Sequence, residues 1–278
     1  MASGPDTATL RRVLDAAAWA PSVQNSQPWR WHVDAEGLHL DADWNRSLGD
    51  SPFDRSDVLL ACGAVLDHCA LALSAAGWGA RIHRFPDRAG RLASFEVIES
   101  EPRPAARELA EVIPRRRSDR RDYGGSSLPS TTVELLLIRA ARLGVQMGVV
   151  PKDRWSRLDD GQVQLHYGRA ADHPHRDGDG MLLVLATDDE DDLARLRAGE
   201  AASHLLLSAT ALELASCPFT DPLRAARDRL ALACELFDGG AHPQILLRLG
   251  PQISGAAALP SARRRPLAET TTWGSSAR

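Results

Sequence analysis

APSVQNSQPW, residues 20–29, follows a run with helical spacing and cannot continue it. Pro21 and Pro28 lack a backbone donor and push the residues before them toward extended conformations, while Ser22 and Asn25 carry short polar groups that bond to nearby backbone. The stretch reads as a shaped loop ending on Trp29. Upstream, Leu10, Val13, Leu14, Ala17 and Ala18 fall on one face of a helix over 7–20, with Thr7 or Thr9 as its N-cap and Pro21 as its stop. Downstream, Trp29, Trp31 and Val33 alternate with polar residues, Glu36 and Gly37 turn the chain, and Leu38 and Leu40 resume the alternation, which predicts a hairpin.

Further along, residues 56–76 are apolar almost all round and predict a buried helix closed by Gly77 and Gly79, followed by strands at 81–84 and 94–98. The two prolines and mixed charge of EPRPAARE, residues 101–108, mark a change of composition before a helix carrying Leu109, Val112 and Ile113. Two units are expected, 1–105 and 106–278. The second contains a polar helix at 130–142, strands at 145–150 and 181–187, helices at 198–215 and 222–236, and a central strand at 245–250. Shifting the first buried helix by 136 positions lays Gly63 on Gly199, His68 on His204 and Ala75 on Ala211. A duplication produces such a match, and so do two Ala/Leu-rich helices by composition.

Composition narrows the function classes. The chain has 278 residues, 44% of them hydrophobic, and a formal charge of -4, so it can bury a sizeable core and offers no global field for nucleic acid or anionic lipid. Cys62, Cys69, Cys217 and Cys234 match neither a redox pair nor a zinc framework, which fits a reduced, cytoplasmic protein. No run of 18 apolar residues and no basic start followed by an apolar stretch is found, so a soluble chain without membrane partners is expected.

PRRRSDRRDY, residues 114–123, sets five arginines around Ser118. Guanidinium forks bind phosphate oxygens in pairs and a hydroxyl adds a neutral donor, so this is a candidate anion cradle; a solvated basic face is the alternative. Taken together with the loop at 20–29, this stretch makes the chain resemble the FMN-dependent nitroreductase superfamily. Arg116, Ser118 and Arg120 match that family's Arg-x-Ser-x-Arg phosphate motif, and Pro21, Ser22, Asn25, Gln27, Pro28 and Trp29 match its Pro-Ser-x-x-Asn-x-Gln-Pro-Trp loop, which contacts the flavin ring. The two motifs stand in reversed order, one in each half, which is similar to the Acg branch, where two fused degenerate halves imitate the family dimer.

The resemblance implies an α+β fold with mixed, mostly antiparallel sheets packed by helices, and a monomer. It gives Pro21, Ser22, Val23, Asn25 and Gln27 to the flavin ring. Arg116, Ser118 and Arg120 go to the phosphate, with Arg263 and Arg265 completing that group and Arg264 replacing either if the register slips. Thr220 and Asp221, in CPFTDP, fall in the segment that approaches flavin N5, although Asp221 stands where the family commonly has glycine; Glu213 likewise replaces a glycine. Residues 151–180 are expected to be a polar loop, too short for the helical lid of the Acg branch. Its His166, His173 and His175 are read as solvated and not as a metal site.

The implied activity is an FMN oxidoreductase of nitroreductase type, with NAD(P)H as co-substrate and a nitro compound, quinone or similar small molecule as electron acceptor. Since the cofactor carries the chemistry, no catalytic acid, base or nucleophile is needed. The alternative is an FMN-storage protein with little turnover. A nucleic-acid module would rest on the arginine cluster alone.

Overall fold

The computed structural model describes residues 4–86, 90–125, 127–168 and 175–274, and its first helix, α1 (Thr7–Ala17), is capped by Asp6. The Asp6 carboxylate accepts from the Thr9 N–H at 2.7 Å, so neither Thr7 nor Thr9 is the cap. α1 also stops before Pro21, because the chain tightens into shorter-range bonds from Trp19 to Ala16 and from Ala20 to Ala17. β1 (Trp29–Asp34) and β2 (Gly37–Ala42) form the expected hairpin, paired from Trp29 and Ala42 to Asp34 and Gly37. α2 (Pro52–Ala75) begins earlier than its apolar pattern does, since Ser51 and Asp54 make a reciprocal capping box and Pro52 fits the first turn. β3 (Trp78–Arg84), β4 (Arg91–Glu99) and α3 (Pro104–Val112) follow.

In this sheet Trp31, Leu40 and Ala93 share one row and Val33, Leu38 and Phe95 the next, all buried on one face. Each large apolar side chain removed from water there contributes about 1.5–3 kcal/mol. α2 packs against α1, α3 and the sheet. By length and composition it could cross a membrane, yet most of its apolar residues are interior to the protein.

The second unit runs through α4 (Ser130–Arg142), β5 (Gln146–Val149), β6 (Trp155–Arg157), β7 (Val163–Leu165), β8 (Met181–Thr187), α5 (Asp192–Ala211), β9 (Leu214–Phe219), α6 (Ala226–Phe237) and β10 (His242–Pro251). Its antiparallel sheet has the order β5-β8-β10-β9. Leu183, Leu185, Leu247 and Leu249 lie in one core with Leu205 and Leu206 of α5, while Leu182, Val184, Leu246 and Phe219 lie in another with Trp155, Leu165 and Leu232. α5 starts at Asp192, ahead of the expected 198, because Asp191 caps it by accepting from the Ala194 N–H at 2.7 Å.

The chain then returns. α7 (Leu267–Thr270) leads to β11 (Thr271–Trp273), which pairs parallel with β1 and gives the first sheet the order β11-β1-β2-β4-β3. The units are therefore Met1–Pro114 with Ala262–Arg278, and Arg115–Ser261. This corrects the expected division into 1–105 and 106–278: α3 packs on α2, and β11 belongs to the first sheet.

The α+β class with mostly antiparallel sheets is as expected, and the repeat is structural. The order β1-β2-β4-β3 recurs as β5-β8-β10-β9. α2 and α5 end at Ala75 and Ala211, and β3 and β9 begin at Trp78 and Leu214, so both pairs are 136 apart. Between them Gly77 (φ +87°) and Glu213 (φ +59°) occupy the same left-handed position. Composition alone does not align helix ends, turn and strand together.

Residues 151–180 differ from the expected loop. β6 and β7 pair as a hairpin whose Trp155, Val163 and Leu165 are core, because the short alternation Val163, Leu165, Tyr167 buries one side. His166 is buried with Nε2 2.9 Å from Ser156 Oγ, and His175 meets the edge of Trp155 at 4.7 Å, so neither is a solvated histidine. His173 lies outside the described residues.

Candidate functional site

The loop after α1 has an unusual backbone. Gln24 (φ +50°), Asn25 (φ +56°) and Gln27 (φ +49°) are all left-handed without being glycine. Asparagine tolerates this region, but a glutamine held there costs roughly 1 kcal/mol or more, so something must hold it. Ser22 Oγ accepts from the Gln27 N–H at 3.0 Å, and the Asn25 N–H donates to Ser22 O at 3.0 Å. Arg46 donates to Ser26 O at 2.5 Å, and the other anchors come from residues 263–265. Asn25 Nδ2 donates to Arg263 O at 2.9 Å, and Asn25 Oδ1 accepts from Arg264 at 2.6 Å. Gln27 Oε1 accepts from the Arg265 N–H at 2.9 Å, and Gln27 O accepts from the Arg265 guanidinium at 3.1 Å. Arg264 also reaches Trp19 O at 3.2 Å and lies over the Trp19 ring.

These bonds show what several expected site residues do within this unit. The amides of Asn25 and Gln27, expected at the flavin, bond to residues 263–265. Partly exposed Pro21, Ser22 and Val23, with exposed Gln24, are what the loop presents outward. Arg265, expected beside the phosphate motif, bonds to Gln27 O and Glu269 O and lies 3.6 Å from Asp43. Arg263 uses its carbonyl here and leaves its side chain exposed.

The second unit gathers the other group. Arg116 is buried and donates to Ser118 Oγ at 3.3 Å, while Ser118 and Arg120 are exposed. The acid between Ser118 and Arg120, Asp119, is gripped by Arg121 at 3.0 and 2.8 Å. That pairing pulls the Asp119 pKa down despite its burial, so the carboxylate is neutralised locally and the exposed face keeps a cationic excess. The Asp119 N–H donates to Ser216 O at 2.8 Å, and Arg120 stands over the Phe219 ring, which brings the motif alongside β9. Thr220 follows β9, and Asp221 beyond it is exposed and paired with Arg224 at 3.3 Å. The β6–β7 hairpin backs the motif: Gly161 (φ +80°) lies so close that a Cβ there would stand 2.6 Å from Arg120 O.

The nitroreductase family model matches residues 2–51. Rv3131 of Mycobacterium tuberculosis, which carries a provisional NAD(P)H nitroreductase name, is 37% identical over 97% of this chain and 92% of its own length. The chain belongs to the nitroreductase family. Acg of the same organism, named in the same provisional way, is 30% identical over 95% of each chain. A crystal structure from Anabaena variabilis, described as that of a nitroreductase candidate, covers 90% of each chain with a TM-score of 0.58 at 11% identity, a likeness of fold alone.

For a member of this family, the chain has a donor set suited to the phosphate of FMN: the exposed Arg120 guanidinium and Ser118 hydroxyl, with buried Arg116 behind them and no free carboxylate in the motif. Among the described residues one group of metal-type donors, Asp34, Glu36 and His39, sits at the β1–β2 turn. Two of its side chains are already engaged, Asp34 Oδ1 by the Glu36 backbone N–H at 2.8 Å and by His39 at 3.2 Å, and His39 by Ser94 at 2.9 Å. Sequence reading missed the segment 262–274 as the anchor of the loop, although the polar ends of Asn25 and Gln27 required a partner. It also missed Gly161 and the hairpin as the support of the motif.

Proposed function

We propose that this chain binds FMN and acts as an oxidoreductase, taking hydride from NAD(P)H and passing electrons to a nitro compound, quinone or similar small acceptor. The observation that carries the reading is the exposed Ser118–Arg120 pair over buried Arg116, with the motif's own acid already neutralised. FMN supplies the redox chemistry when bound. The protein's part is to fix the phosphate through Arg116, Ser118 and Arg120 and to offer the 21–27 loop to the ring. Each motif occurs once in the chain, so one FMN per chain is expected, bound by a monomer in the cytoplasm.

Arg120→Ala tests the phosphate role with little folding cost, since that side chain is exposed. It should weaken FMN by about 10- to 100-fold, the loss of one charge-assisted bond, and leave riboflavin, which has no phosphate, unchanged. Equal losses for both flavins would remove the arginine from the phosphate. Anaerobic bleaching of the bound flavin by NADH or NADPH, with recovery on adding a quinone, tests turnover. Reduction by dithionite alone would favour storage.

A further inference from the structure

β10 carries Arg248 in the middle of an apolar strand, and it is 0% exposed. A buried guanidinium costs stability unless its donors are taken up; here Nε and one terminal nitrogen donate to backbone, while the other terminal nitrogen is buried with no hydrogen-bond partner among the described residues. Nε donates to Asp179 O at 2.5 Å, and a terminal nitrogen donates to Arg121 O at 2.9 Å and to Gly178 O at 3.3 Å. The guanidinium lies 3.7 Å from the centroid of the Tyr123 ring. That ring is seated against Gly180 and Gly250, where a Cβ would come within 2.7 and 2.5 Å of it. Tyr123 extends the chain of contacts, its hydroxyl donating to Asp119 O at 2.8 Å and its N–H to Gly178 O at 2.8 Å. Every hydrogen-bond acceptor of Arg248 among the described residues is a carbonyl on one of two segments, the end of the arginine motif or residues 178–179.

We propose that Arg248 is a positioning residue for anion binding: it ties the segment 119–123 to residues 178–179 and so sets the spacing of Ser118 and Arg120 toward a phosphate. The inference rests on the FMN reading and adds a residue that touches no ligand. An arginine is needed because its planar fork reaches two segments and a ring face together, whereas a lysine is a point charge with no fork. The hairpin shares the work, since Arg157 pairs with Asp122 and lies 3.4 Å from the Asp179 carboxylate.

The test is titration of the ligand-free protein with FMN and with riboflavin, followed by flavin fluorescence, for wild type, Arg248→Lys and Arg248→Met. Amide hydrogen exchange over residues 115–124 is measured without ligand. Arg248→Met should weaken FMN by about 10- to 100-fold with riboflavin unchanged, and exchange over 115–124 should quicken. Arg248→Lys should resemble the methionine variant more than wild type. If Arg248→Met does not fold, Tyr123→Phe keeps the ring, removes the tie to Asp119 O, and should cost FMN about three- to tenfold with riboflavin again unchanged. Folded variants that bind FMN like wild type, lose both flavins equally, or show unaltered exchange overturn the proposal. Wild type that binds no FMN overturns the functional reading and this inference together. Loss of FMN in Arg120→Ala but not in the Arg248 variants overturns the positioning role alone.

Discussion

Replacing Asn25 separates the two things that hold the 21–27 loop. Its side chain makes a charge-assisted bond with Arg264 at 2.6 Å and a neutral bond to Arg263 O at 2.9 Å, while its backbone sits at φ +56°. Buried, these bonds would contribute about 1.5–3 and 0.5–1.5 kcal/mol, and partial exposure puts both near the lower end, about 2 kcal/mol together. Alanine loses both and adds a left-handed cost of about 1 kcal/mol, whereas glycine loses the bonds without that cost. Asn25→Ala should therefore destabilise by about 3 kcal/mol and Asn25→Gly by about 2 kcal/mol. Urea denaturation reads the difference, and hydrogen exchange should show residues 262–274 loosening in both variants. Equal losses for alanine and glycine would refute the strain argument. Two variants within about 0.5 kcal/mol of wild type, the usual range for a neutral surface change, would refute the anchoring.

Glu213→Gly should stabilise the protein by about 0.5–1 kcal/mol in urea denaturation by relieving its left-handed backbone. Gly77→Ala should cost about 1 kcal/mol, since its Cβ would meet only Ser100 O at 3.8 Å and conformation is the sole penalty. Acid should expose the buried histidine: burial, reinforced by Arg91, holds the His39 pKa below its ordinary value. Its contribution is complete above about pH 6.5 and falls away as pH drops toward the folded-state pKa, with a slope of at most about 1.4 kcal/mol per pH unit. Urea titrations from pH 8 to 5 should show a shallower acid-side loss in His39→Gln, and coincident profiles would remove His39 from the transition.

Much of the fold was legible because its signals were local. The Trp29–Leu40 alternation set a hairpin by its period, and α2 and Met181–Thr187 stood out as long and short continuous apolar runs. Helix starts were less legible, since they depend on Ser51, Asp54 and Asp191, polar residues outside the apolar pattern. β9 escaped because Pro218 interrupts its short run, and β11 because three residues carry no period. At the site, the loop and the arginine motif were visible as residue types. Their partners were not, because Asn25 meets Arg263 and Arg264 only after the chain has built an entire second unit in between.

The discontinuity of the first unit sets a timetable. Arg115–Ser261 is an uninterrupted stretch, whereas Met1–Pro114 lacks its parallel edge strand and the anchors of Asn25 and Gln27 until residues 262–274 have been made. On the ribosome, the 21–27 loop is thus fully secured only after residues 263–265 have emerged. A nascent chain halted before Ala262 would contain every residue of both motifs yet hold the 21–27 loop without the bonds that residues 263–265 make to Asn25 and Gln27.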